Sequence, residues 1–125
     1  MMSSWLLILL QTVVGLGLLN VWLLRARSAT PYRGKDAGNL RDEFDAYGLP
    51  VAAFWIVGGL KVSAGVILLL GVFVPLPGLV SVAAGTVVVL MLGALAMHVK
   101  VGDPMIRSVP ALIMLVMSAG IVLLG

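Results

Sequence analysis

Apolar residues arrive in four blocks, and polar or turn-forming connections separate them. The blocks are Ser4–Leu24, Val51–Leu70, Leu79–Met97 and Ile106–Leu124. Each is about 20 residues long, and a helix of that length crosses a hydrocarbon layer of about 30 Å. Backbone groups in lipid must be satisfied within a segment, and a chain this short cannot close a barrel from such runs. The pattern therefore predicts four membrane-spanning helices. The second connection (Gly71–Gly78) and the third (Val99–Met105) are short, which makes successive helices antiparallel neighbours. Pro75, Pro77 and Gly78 predict a stiff turn in one, and Asp103-Pro104 closes the other. The expected fold is all-α: one membrane domain over residues 1–125, an antiparallel four-helix bundle.

The first connection, residues 25–50, is longer and has its own pattern. Leu40, Phe44 and Tyr47 fall at i, i+4 and i+7 on one helical face. Asn39 precedes them as a cap, with Asp42 and Glu43 in the first turn, where the helix dipole favours negative charge. Gly48 stops the helix and Pro50 prevents its continuation. A short amphipathic helix follows, its apolar face against the bundle or the headgroups.

Composition sharpens this picture. The chain is 62% hydrophobic and 10% charged over 125 residues. A soluble domain carries about 25% charged residues, so this chain is expected in a membrane. It has no cysteine, which excludes disulfides and thiolate metal sites. A single histidine, His98, argues against a metal site built by one chain.

Charge sets the expected orientation. Of the eight Lys and Arg residues, Arg25, Arg27, Arg33, Lys35 and Arg41 lie in the first connection, and Lys100 and Arg107 lie at the third. The positive-inside rule puts residues 25–50 and 99–105 in the cytoplasm and both termini outside. The net charge of +3 is thus a membrane-topology signal, and no nucleic acid is expected as a partner. Cations follow the first apolar block instead of preceding it, which fits a retained helix and not a signal peptide. Trp5 falls at the outer boundary and Trp22 and Trp55 at the inner one, where amphipathic rings are stable.

The eighth cation is Lys61, in the middle of the second block. A lysine at that depth costs about 2.5–3.5 kcal/mol on insertion scales and usually faces a protein interior or a wet cavity. It shares a helical face with Gly58, Gly65 and Leu68, and such small residues let a neighbouring helix come close. No acid occurs in any span. The expected partners are backbone carbonyls, Thr86 in the third helix, water, or an anionic or carbonyl-bearing ligand. Lys61 is then either a binding or proton-handling residue or an architectural one.

His98 ends the third helix, level with Asn20, and the two are expected to form an inner polar cluster with Asp103. Capping of the helix end by His98 explains it equally well. Gln11 is expected to join helices. Arg33, Lys35, Arg41 and Glu43, in the first connection, form a candidate surface for a partner or for lipid headgroups; a solvated helix closing the bundle accounts for the last two as well. Met114 and Met117 read as gap-fillers. No nucleophile–base pair, paired carboxylates or phosphate loop is present, so no catalytic residue is assigned.

Several motifs resemble those of a known family. They are the stretch Tyr32–Phe44 leading into Tyr47-Gly48-Leu49-Pro50, then Gly59-Leu60-Lys61-Val62, Leu68–Gly71, Met91–Ala94, His98–Pro104 and Pro110-Ala111. Together they resemble the DoxX-like family of small bacterial four-helix membrane proteins, over nearly the whole chain. The resemblance implies the four-helix membrane fold and a place in the bacterial cytoplasmic membrane. The family takes its name from subunits of a thiosulfate:quinone oxidoreductase, and most members have no established activity. Some relatives carry an acid at the position that aligns with Lys61.

Three roles follow, in order of preference. The first is a non-enzymatic scaffold or accessory subunit that binds a membrane protein partner or a second copy, motivated by the small residues Gly15, Gly17, Gly85 and Gly93. The second is a quinone-linked redox subunit in which Lys61 bonds a quinone carbonyl. The third is an oligomeric transporter of an anionic or lipid-like solute. No cofactor is expected, a quinone being the one that the second role would bring.

Overall fold

The computed structural model describes residues 2–24 and 38–124, without the side chains of Met2, Ser3, Ser4, Leu24, Leu40, Glu43 and Ala46. Arg33 and Lys35, two of the candidate surface residues, lie outside the described residues, as does the side chain of Glu43. Helix α1 (Met2–Leu19) passes into a π-helical turn, Asn20–Leu24. Then come α2 (Leu40–Ala46), α3 (Val51–Phe73) and α4 (Pro77–Lys100). A 3₁₀ turn (Met105–Ser108) leads into α5 (Val109–Leu124). The described residues contain no strand. Four helical segments, Trp5–Leu23, Val51–Phe73, Pro77–Lys100 and Met105–Leu124, are long and apolar enough to cross a membrane. The chain is a multi-pass, all-α membrane protein.

Helix ends fall beyond the apolar blocks because hydropathy marks lipid, whereas a helix ends where its hydrogen bonding is broken. α3 runs past Leu70 to Phe73, and Val74 takes an extended conformation before Pro75. α4 starts on Pro77, where a missing N–H costs nothing, and takes in His98 and Lys100. The last block is divided. A helix running unbroken from Ile106 would set the Pro110 ring against the Ile106 carbonyl. The chain makes a 3₁₀ turn instead and starts α5 at Val109, which leaves Pro110 in the first turn.

The four long helices form a ring in which α1 and α4 each lie between α3 and α5. Paired contacts show that neighbours run antiparallel. Gly15 on α1 meets Gly65 on α3, while Trp22, in the π-helical turn that follows α1, meets Gly58. Gly17 meets Met114 on α5, while Leu10 meets Gly120. Val14, Leu18, Ala64, Leu68, Ala84, Val87 and Ile121 make a narrow buried column, and large apolar side chains such as Leu16, Val66, Val89 and Val116 point outward. That is the arrangement expected in lipid, where close packing and not water exclusion holds helices together. Gln11 is buried and its Nε2 donates to the Leu68 carbonyl at 3.0 Å, joining α1 to α3.

α2 forms as its sequence suggests. Asn39 Oδ1 accepts from the Asp42 backbone N–H at 2.8 Å, a side-chain cap on the first turn. Its far end closes with Gly48 at φ +77°: Gly48 N–H donates to Asp45 O and Leu49 N–H to Phe44 O. The same paired motif ends α4, with Gly102 at φ +71°. There Gly102 N–H donates to Val99 O, and Asp103 N–H donates to His98 O at 3.0 Å. Both sites need a left-handed residue, and glycine takes that conformation without a Cβ penalty.

Candidate functional site at the α2 end of the bundle

α2 lies across one end of the ring and brings an aromatic cluster together. Phe44 is buried with its ring edge-on to Phe54 at 5.5 Å and to Trp22 at 5.9 Å. Trp22 also lies 5.3 Å from Phe54, which touches Trp55 at 5.2 Å. Each such pair contributes about 0.5–1.5 kcal/mol beyond burial. Trp22 sits in the π-helical turn, a rare conformation often found near functional sites. The benzo edge of its indole lies over Gly58, where a Cβ would come within 2.5 Å of Cζ3. The indole Nε1, on the opposite edge, is buried and makes no hydrogen bond among the described residues.

Lys61 follows directly from this arrangement. Its face of α3, with Gly58, Gly65 and Leu68, is turned to α1 as the spacing suggests. Its ammonium lies 5.6 Å from the centroid of the Trp22 ring, a cation–π contact. Such a contact contributes about 0.5–2 kcal/mol, which offsets part of the cost of a charge at that depth. Thr86, the candidate side-chain partner, donates its hydroxyl to Val82 O on its own helix at 2.9 Å.

Beside the cluster is a cleft of about 1010 Å³ between the end of α1, the start of α2 and α3. Its described lining is Trp22, Leu23, Phe54, Trp55, Gly58, Gly59 and Val62, with Asn39, Arg41 and Asp42 at the α2 rim. Lys61 is not among these residues. Trp55, Gly59 and Val62 share one face of α3 at i, i+4 and i+7. Gly59 has nothing within 4 Å of a built Cβ, unlike its neighbour Gly58.

A polar cluster closes the rest of this end. His98 Nδ1 is 2.8 Å from Asp103 Oδ2, and Arg107 donates to Asp103 Oδ1 at 2.9 Å. The turn after α4 explains the first contact: the backbone bond from Asp103 N–H to His98 O folds the carboxylate back onto its own helix end. The buried Tyr47 ring meets His98 edge-on at 6.0 Å, and Lys100 Nζ donates to Tyr47 O at 2.9 Å. His98 and Asp103 are thus together, whereas Asn20 is exposed, and no described contact joins it to them. The π-helical turn that begins at Asn20 changes the facing of the residues after Leu19, and a regular helical wheel does not carry through it. Arg41 is exposed on α2.

Sequence reasoning missed Trp22 as a partner of Lys61, the link between Tyr47 and Lys100, and the cleft. The stripe Trp55, Gly59, Val62 was the one available signal for the cleft. Among the described residues no group of three metal-ligating side chains occurs. Comparison with curated proteins and with solved structures gave no match. The model of the DoxX-like family matches residues 17–121, from the last residues of α1 through most of α5 and so across Trp22, Lys61 and His98, and the chain belongs to that family.

Proposed function

We propose that the protein is a non-enzymatic accessory subunit of a membrane complex, held in a bacterial cytoplasmic membrane with the α2 end toward the cytoplasm. The observation that carries this reading is how differently its glycines are used. Gly15, Gly17, Gly58, Gly65 and Gly71 are filled by neighbours within the chain. Gly85 and Gly93 on α4 have nothing within 4 Å of a built Cβ. Beside them Val82, Val89 and Leu92 are exposed, so α4 presents a notched apolar face outward. Glycine in a helix interior costs about 1 kcal/mol relative to alanine, and in lipid its return is the close approach of another helix. A partner helix from another protein fits that face. The seven cations around residues 25–50 and 99–107 support the orientation.

Isolation in mild detergent through an affinity tag tests the proposal. Wild type recovers a stoichiometric membrane protein partner, and Gly93→Trp loses it while keeping its helicity. Recovery of the chain alone, or only as copies of itself, overturns the reading.

A further inference from the structure

We infer that the turn between α3 and α4 is a membrane anchor lodged in the headgroup layer of the leaflet opposite α2, where it meets lipid and offers no docking surface to a soluble partner. This goes beyond the accessory role and does not depend on it.

The lengths of the two legs set the depth. Trp55, at the α2 end of α3, is 66% exposed, as a ring at a headgroup boundary should be. From Trp55 to Phe73, the last residue of α3, the helix rises about 27 Å at 1.5 Å per residue. On α4, His98 and Lys100 mark the polar end, and the helix from Met97 back to Pro77 rises about 30 Å. A hydrocarbon core is about 30 Å thick. Both legs therefore reach the far edge of the hydrocarbon and stop there. Neither has residues left to carry the turn out into water.

The turn is made for that layer. Gly71–Val80 carries no polar side chain. Phe73 is 85% exposed, and Val74 and Leu79 are exposed beside it. In water such a cluster is an adhesive patch; among headgroups and upper acyl chains it is stable. Backbone donors are scarce as well. Pro75 and Pro77 have no N–H, and Val74 N–H donates to Leu70 O at 2.9 Å. Within Val74–Gly78 only Leu76 and Gly78 bring N–H groups for headgroups or interfacial water to satisfy. That reduces the penalty that irregular backbone incurs next to lipid. The legs close directly beneath the turn, where a Cβ at Gly71 would collide with Val80, so the turn cannot fold back into the bundle.

The turn between α4 and α5 is the contrast. It is flanked by Lys100 and Arg107 and contains Asp103, groups that a soluble partner could recognise. The side chains of the α3–α4 turn present neither charge nor hydrogen-bonding groups.

The experiment is site-directed spin labelling of the purified chain in phosphatidylcholine vesicles, which the lack of native cysteine makes clean. Nitroxides are placed on Val74→Cys, on Phe73→Cys and on Val82→Cys, the last exposed on α4. Access to molecular oxygen and to a neutral nickel chelate gives the depth of each. Phosphatidylcholines labelled on the headgroup or along the acyl chain calibrate it. The readout is the same for either orientation of the chain in the vesicle. The labels at Val74 and Phe73 should fall between the headgroup label and the first acyl positions. The label at Val82 should lie about 8 Å deeper than the turn, five residues along α4. Circular dichroism confirms that each variant is folded, and Phe73→Cys carries the test alone if Val74→Cys is not. Turn labels as open to the nickel chelate as a free nitroxide in water overturn the proposal. So do turn labels as deep as the one at Val82. Failure to recover a partner in detergent leaves these depths unchanged, so the two readings fall separately.

Discussion

Gly58 and Gly59 are adjacent on α3 and do opposite things. Gly58 lies under the Trp22 ring in a seam that continues through Gly65 and Gly15. Gly59 faces open space in the cleft, as Gly85 and Gly93 do on the outside of α4. One residue type thus serves two ends in this chain. In the seam it lets α1 and α3 touch; on the open faces it leaves a notch that no described neighbour fills. Composition alone cannot separate the two uses, because both read as small residues in an apolar helix. The partner across the helix decides.

The sharpest way to break this comparison is Gly65→Leu. A Cβ at Gly65 lies 3.2 Å from the Gly15 carbonyl oxygen, a backbone atom that cannot swing away. The helices must separate, at a cost of about 1–3 kcal/mol or more. Thermal unfolding in detergent should show the largest fall of the series, and a wild-type midpoint would mean that α1 and α3 are not in contact there. Gly58→Ala comes next. Its nearest neighbour is a ring that can turn aside, so the loss should be about 0.5–1.5 kcal/mol, the value of a Trp22 ring contact. Tryptophan emission should shift as the indole leaves Lys61; an unchanged spectrum counts against the packing described for Trp22.

Gln11→Leu tests the seam at its other end. Removal of the bond to Leu68 O should cost about 0.6 kcal/mol, the average for an interhelical side-chain bond in a membrane. A loss several times larger would assign Gln11 a role beyond joining two helices. Gly85→Ala and Gly93→Ala should not lower stability and should raise it by up to about 1 kcal/mol, the cost of glycine in a helix interior, since nothing faces them. A marked fall in the isolated chain would place α4 inside the bundle and remove the contrast between its faces.

Much of this was legible in the sequence. The four spans follow from apolar blocks whose length matches a bilayer, a constraint strong enough to override local detail. The face with Gly58, Lys61 and Gly65 was legible from spacing, and the α2 cap from Asn39, Gly48 and Pro50. The site was less so. Trp22 is placed by a π-helical turn, and nothing in Asn20–Leu24 announces one, so it read as an interfacial ring and not as the cover of Gly58. Asn20 was grouped with His98 because depth is predictable from residue count, whereas facing is not once the helix changes pitch. The bond between Lys100 and Tyr47 O joins residues 53 apart, and such pairings depend on a fold that no single segment encodes.

That last bond has a consequence for how the chain is made. α2 is synthesised before α3, yet the groups that hold it, Lys100 and the His98 ring, belong to the end of α4 and arrive much later. During insertion Phe44 can pack on Trp22 and Phe54, whereas Tyr47 has no histidine to cover it. The cap therefore closes in two stages, first on the α1–α3 hairpin and then against the completed α4–α5 turn. Nascent chains arrested before Lys100 emerges should leave α2 open to a protease, and chains arrested after Leu124 should protect it.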